Sequence, residues 1–147
     1  MSALLDPRRE TEYIAALNAE DHVLIAYCFR RNDFPWVAIW EENRARTDTP
    51  WNGKTQARGM EFGSTPFPIV RREAFAAGPL FNTPTFSTVA AGSRKTIQYV
   101  AFLACLPEAL KEVRNIKLGR DDIIIQGSGE NQVVRVPASG LLGAGFV

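Results

Sequence analysis

Tryptophan, carboxylate and amide side chains are concentrated in the middle of this sequence, in an arrangement suited to holding a polar ring. In an extended strand alternate side chains share a face, so Trp36, Ala38, Trp40 and Glu42 would lie on one side. Indoles pack against the apolar face of a sugar ring, while carboxylates and amides hydrogen-bond to its hydroxyl groups. Trp40, Glu42 and Asn43 are therefore candidate substrate-binding residues. The alternative is that both tryptophans belong to the hydrophobic core.

Trp51 is a further candidate for substrate binding. It lies in a polar stretch, between Pro50 and Asn52, where strand alternation requires no large apolar side chain. An aromatic side chain on such a loop can contact a ligand. It can equally fasten the loop to the core through its one indole, and the sequence leaves both interpretations open.

Glu61 is the candidate catalytic residue. It stands between two glycines in Gly59-Met-Glu-Phe-Gly63, where backbone and ligand can approach closely. If its apolar neighbours face the core, Glu61 faces outward, into a cleft or into solvent. Arg58, just before this segment, is grouped with the substrate-binding candidates. Glu42 and Glu61 could also form the carboxylate pair of a glycoside hydrolase, at a separation that the sequence does not define.

Other chemistries have little support. The single histidine, His22, begins an apolar run, and the two cysteines, Cys28 and Cys105, each lie inside one, where a free thiol behaves as a small buried hydrophobe. This leaves no zinc-like spacing of ligands and no nucleophile elbow. We expect neither a metal nor another cofactor.

Charge and hydropathy narrow the range of partners. A net charge of +1 provides no large field to attract a phosphate backbone or an anionic lipid. The N-terminus is polar, and no apolar run approaches the length that spans a bilayer. We therefore expect a cytoplasmic protein with a small-molecule partner and with neither nucleic acid nor membrane as a partner.

The sequence predicts that short strands, separated by turn-forming residues, position these side chains. A chain of 147 residues is long enough for one domain with its own core, so we expect a single domain over residues 1–147. The pattern predicts an all-β fold, an antiparallel β-sandwich or open barrel with at most one or two short helices.

Three hairpins, one further strand and one helix are predicted within this fold. Residues 43–58 are polar and predict a long loop after the first hairpin. The hairpins pair residues 22–29 with 36–40, 85–89 with 95–103, and 122–126 with 132–136, the strand covers 58–62, and the helix covers 107–113.

Residues 27–68 resemble the later part of galactose-mutarotase-like (aldose 1-epimerase-like) proteins. The resemblance rests on Asp33-Phe-Pro-Trp-Val-Ala-Ile-Trp-Glu-Glu-Asn43, Pro50-Trp-Asn52, Gly59-Met-Glu-Phe-Gly63 and Thr65-Pro-Phe-Pro68. It implies part of a β-supersandwich, with this chain similar to a C-terminal half or a truncated member.

The resemblance also implies roles for individual residues. In such proteins a glutamate on a late strand removes the proton of the anomeric hydroxyl, and Glu61 occupies the similar position. A histidine protonates the ring oxygen, but the family's histidines come from an earlier half, and His22 does not match their motif. The expected function is carbohydrate binding, with anomer interconversion by a glutamate base. The alternative is a non-catalytic sugar-binding or interaction module that pairs with another chain or with a second copy.

Overall fold

The computed structural model describes residues 1–129 and 131–138. In this part of the chain the sheets are antiparallel throughout and the helix is a single short one, which confirms the all-β fold class. The elements are β1 Ser2–Leu4, β2 Thr11–Asn18, β3 Val23–Arg30, β4 Trp36–Asn43, β5 Gln56–Gly63, α1 Arg71–Ala77, β6 Tyr99–Cys105, β7 Asn115–Leu118, β8 Asp122–Gln126 and β9 Val133–Pro137.

The chain divides into two compact units. Unit 1 consists of residues 1–8 and 31–95. Unit 2 consists of residues 9–30 and of the described residues from 96 onward. The expectation of one domain over the whole chain stays a prediction.

Unit 2 is a small β-sandwich. Its sheets have the strand orders β2-β3-β6 and β7-β8-β9. Alternate residues of β3, among them Leu24 and Ala26, are fully buried and pack in one cluster with Ile123 and Ile125 of β8. Apolar side chains from both sheets therefore form one hydrophobic core, as binary alternation along the strands requires.

Unit 1 is built around the sheet β1-β4-β5. Strands β4 and β5 form a hairpin paired over eight residues on each strand, from Trp36 opposite Gly63 to Asn43 opposite Gln56. The buried Trp36 donates its indole N–H to the carbonyl of Pro84 at 2.9 Å. This bond fastens the later part of unit 1 to the start of the hairpin.

The predicted hairpin between residues 22–29 and 36–40 is wrong. Both segments are strands, but β3 pairs with β2 and β6, whereas β4 pairs with β1 and β5. The turn signal at residues 32–35 takes the chain from one sheet to another. Strands β1 and β2, which supply the missing partners, carry weaker sequence signals.

The predicted hairpin between residues 85–89 and 95–103 is also wrong. Residues 85–89 form no strand, because Thr85 is buried and its hydroxyl donates to the carbonyl of Gly78 at 2.7 Å. Phe86 packs edge-on against Phe75 of α1, with ring centroids 4.6 Å apart. The second segment becomes a strand only at Tyr99, and this strand, β6, pairs with β3.

The predicted helix over residues 107–113 does not form. This segment makes one turn, closed by the amide of Leu110 donating to the carbonyl of Pro107 at 2.9 Å. Leu110 is buried in the core of unit 2, and the amide of Arg114 already donates to Gln126 at the start of the β7–β8 pairing. Packing and strand pairing therefore override helix propensity here.

Two strand predictions are confirmed. The predicted strand over residues 58–62 lies inside β5, and the last hairpin is formed by β8 and β9. The sequence leaves open whether residues 140–147 form a frayed end or an edge strand. These residues lie outside the part of the chain that the structure describes. Across the described part of the chain, no helix has the length and apolar character needed to traverse a bilayer.

Candidate functional site

Strand register places several of the candidate side chains on one face of the β4–β5 hairpin. Directly paired residues of antiparallel strands point to the same side of the sheet. Trp40 pairs with Gly59, and a side chain built at Gly59 would meet the Trp40 ring at 3.5 Å. Glu61 pairs with Ala38 on this same side. The face carries Trp36, Ala38, Trp40 and Glu42 from β4 and Ala57, Gly59, Glu61 and Gly63 from β5.

A cleft of about 170 Å³ opens beside Glu61. Pockets for drug-sized ligands span about 300–1,000 Å³, so this cleft suits a small molecule or one end of a larger one. The segment after β5 forms one wall, and it is fastened to β1 by the Ser2 hydroxyl, which donates to the Pro66 carbonyl at 2.6 Å. The lining residues are Ser2, Trp36, Ala38, Glu61, Phe62, Gly63, Thr65, Pro66, Phe67 and Pro68.

The carboxylate of Glu61 is the one ionisable side chain among these lining residues. Glu61 is exposed, and within the described residues no ion pair or hydrogen bond engages its carboxylate. Its strand neighbours are small, because Ala38 lies opposite and Gly63 two positions along. A ligand hydroxyl could therefore reach both carboxylate oxygens while an apolar ring face rested against Phe67.

Glu42 lies on the same face but has a different environment. It is buried, with 5 % of its surface exposed. One carboxylate oxygen accepts hydrogen bonds from the amides of Ala45 and Arg46 at 2.7 and 3.1 Å, and the other lies 3.3 Å from the Arg46 guanidinium. Glu42 thus organises the start of the β4–β5 loop.

Trp40 and Trp51 meet at the far end of this face. Their ring centroids are 6.0 Å apart, and the Arg46 guanidinium lies over both rings, at 5.3 and 4.9 Å from the centroids. Such cation–π contacts contribute about 0.5–1 kcal/mol each at exposed sites. Trp51 therefore packs against Trp40 and Arg46 and does not line the Glu61 cleft.

Asn43 and Arg58 lie on the opposite face of the hairpin from Glu61. Arg58 is paired with Glu41 in the ladder and forms a salt bridge with it. The Asn43 amide oxygen accepts a hydrogen bond from Gln56 at 3.0 Å. Both residues, with Glu42, line a separate and more open depression of about 560 Å³. The structure therefore does not bring the six predicted site residues into one cleft.

Sequence reasoning missed several residues of this region. Arg46 carries a detectable signal, because it lies four positions after Glu42 beside two tryptophans. Ser2 and Phe67 carry none, since they reach the cleft through the pairing of β1 with β4 and through the turn after β5. These are tertiary contacts that no local pattern specifies.

The remaining reactive side chains lie elsewhere. His22 has a positive φ of 55°, and its carbonyl accepts the amide of Leu106 at 2.8 Å. Burial raises the pKa of the Cys28 thiol to about 12, so this cysteine is unreactive near neutral pH. Among the described residues no cluster of histidine, cysteine and acidic side chains could hold a metal ion.

Comparison with known proteins identifies no relative. No protein-family model, no curated protein and no solved structure matches this chain. The resemblance to galactose-mutarotase-like proteins stays a prediction.

Proposed function

We propose that this protein binds a sugar in the Glu61 cleft, with Glu61 as the group that accepts hydrogen bonds from the hydroxyls. The observation that carries the proposal is a free, exposed carboxylate beside the exposed ring of Phe67 and the buried Trp36 in a small cleft. Sugar sites combine these elements, because a pyranose has apolar ring faces and a rim of hydroxyl donors.

A catalytic role extends the same proposal. In an aldose 1-epimerase-type reaction Glu61 would remove the proton of the anomeric hydroxyl as the bond between the ring oxygen and the anomeric carbon breaks. The ring oxygen needs a proton in return. The open-chain aldehyde then rotates and closes in either configuration. This role follows the resemblance of the segment around Glu61 to mutarotase-like proteins.

The second candidate is a non-catalytic sugar-binding module. It is favoured by one observation: the ten residues that line the cleft include no histidine and no second ionisable side chain that could protonate the ring oxygen. The two candidates share the same cleft and the same carboxylate. They differ only in whether bound sugar changes its anomeric configuration.

Sugar binding is tested by calorimetric titration with a panel of hexoses and hexose phosphates. Replacing Glu61 by Gln removes the charge and should weaken binding by about tenfold or more, because hydrogen bonds to charged groups contribute about 1.5–3 kcal/mol. Glu41→Gln is the matched control, since Glu41 lies on the same hairpin but on the other face. Equal weakening in both variants, or no saturable binding by the wild type, would contradict the proposal.

Catalysis is tested separately, by polarimetry on freshly dissolved α-anomers. The catalytic candidate predicts that the wild type accelerates mutarotation and that Glu61→Gln returns the rate to the spontaneous value. If sugar binds but the rate does not change, the non-catalytic candidate holds.

A further inference from the structure

A second cleft in unit 1 has the chemistry of an anion site. It has a volume of about 350 Å³ and lies around the start of β4 and the residue after β5. Two cationic side chains, Arg31 and Lys95, line it together with the hydroxyl-bearing Ser64 and Ser87. Asp33 is the one acidic lining residue. The three charged groups sum to +1.

Arg31 has a side-chain donor that the described residues leave unsatisfied. Its Nε atom is buried and has no hydrogen-bond partner among the described residues. Leaving a buried donor unpaired costs about 1–3 kcal/mol, and such groups in a native protein call for an ion, a water or a ligand. Arg31 lines the cleft, and its guanidinium has no acidic partner among the described residues, so an oxyanion bound there would supply one.

Lys95 is held only loosely by its neighbours. Its ammonium lies 3.9 Å from an Asp33 carboxylate oxygen, at the outer limit of an ion pair, and 3.5 Å from the Ser87 hydroxyl. The lysine side chain is flexible and has three donors to offer. It can therefore turn toward an anion in the cleft at small cost.

We propose that this cleft binds a phosphate group, with Arg31 and Lys95 contacting the oxyanion and the serine hydroxyls donating to it. Guanidinium and ammonium groups are the usual protein partners of phosphate, because their N–H donors form charge-assisted hydrogen bonds with its oxygens. A water occupies about 30 Å³ of liquid, so the cleft of about 350 Å³ has room for the phosphate and an attached group. The phosphate could be inorganic or part of a monoester.

The proposal is independent of the Glu61 cleft. The two clefts share no lining residue. Glu61→Gln should leave phosphate binding unchanged, and variants of Arg31 and Lys95 should leave the binding of a neutral hexose unchanged. Failure of one proposal is therefore distinguishable from failure of the other.

The test is a calorimetric titration with inorganic phosphate at constant ionic strength. Lys95→Gln should weaken binding by about tenfold or more, since it removes a charged donor. Arg31→Lys keeps the charge but removes the planar guanidinium fork that can bind two oxygens at once, and we expect a similar loss. Asp33→Asn should have the opposite effect and tighten binding, because the carboxylate competes for Lys95.

Arg72→Gln is the control for charge alone, because Arg72 is exposed in α1 and does not line the cleft. Lys95 is also exposed, so its variant should fold even if Arg31 is needed for stability. The proposal is overturned if wild-type protein shows no saturable phosphate binding, or if Arg72→Gln weakens binding as much as Lys95→Gln. A parallel titration with glycerol 3-phosphate distinguishes the sources, since tighter binding would identify a monoester.

Discussion

The two units of this protein use their strands in different ways. Among the described residues, eleven of the thirteen buried hydrophobic residues belong to unit 2, whereas unit 1 holds only Trp36 and Ala74. Unit 2 covers the inner faces of two sheets with apolar side chains. Unit 1 presents carboxylates, indoles and small residues on the faces of a single sheet. The buried hydrophobic residues that stabilise the fold and the side chains that are candidates for ligand binding therefore lie in different parts of the chain.

The contrast recurs within unit 1, between two carboxylates on one face. Glu42 is buried and its oxygens are fully used by the loop that follows β4. Glu61, four residue pairs along the ladder on the paired strand, is exposed beside a cleft. The same residue type therefore performs a structural role in one position and remains available to a ligand in the other.

The largest expected effect comes from the core of unit 2. Ile125→Ala removes a fully buried side chain from β8 and should lower the free energy of unfolding by about 2–5 kcal/mol. Val70→Ala in unit 1, where the valine is 65 % exposed, should change it by less than about 0.5 kcal/mol. Urea denaturation followed by circular dichroism measures both. Comparable losses of unfolding free energy in the two variants would contradict this difference between the units.

A smaller effect is expected at Glu42. Glu42→Gln replaces a charged acceptor and sets an amide donor against the donors of Arg46, so unfolding should become easier by about 1.5–3 kcal/mol. The amides of Ala45 and Arg46 should also exchange with solvent faster. Glu41→Gln breaks an exposed ion pair and should cost no more than about 1 kcal/mol. Equal effects at Glu41 and Glu42 would contradict the structural role of Glu42.

The smallest effect concerns the pH dependence that Cys28 adds to unit 2. Burial raises the pKa of this thiol from 9.0 to about 12 in the folded state. Below pH 9 the thiol is protonated in both states. Above it the unfolded state loses the proton while the folded state keeps it, so the free energy of unfolding falls as pH rises from about 9 to about 12.

Comparison with Cys28→Ala isolates this contribution. At pH 10 the wild type should have lost about 1.4 kcal/mol more of its pH 8 stability than the variant has. Urea denaturation at both pH values provides the measurement. Identical pH dependence in the two proteins would mean that Cys28 is accessible to solvent.

Local patterns predicted several strands, but they predicted the right partner only for β8 and β9. β3, β4, β5, β8 and β9 all follow from apolar runs or alternation between turn residues. β3 pairs with β6, more than seventy positions later, and burial of Leu24 and Ala26 against another sheet selects that pairing. The choice of strand partner depends on side chains from the whole hydrophobic core. These side chains lie too far apart in the sequence for a local pattern to reveal the pairing.

The candidate site was predictable to a similar extent. The glycines and small residues around Glu61 indicate a place where a ligand can approach, and the structure has a cleft there. Glu42 and Trp51 have the right chemistry for a sugar site, but Arg46 and the loop backbone engage them. The sequence of α1 does carry a helix signal, because alanine, arginine and glutamate lie between Pro68 and Gly78.

The most direct test of the Glu61 site follows the three indole N–H signals by NMR during titration with glucose. Only Trp36 lines the cleft, so its signal should shift saturably while those of Trp40 and Trp51 stay in place. The shift should be lost in Glu61→Gln and kept in Glu41→Gln. Shifts confined to Trp40 and Trp51, or a Trp36 response that survives in Glu61→Gln, would contradict the assignment of Glu61 as the sugar-binding carboxylate.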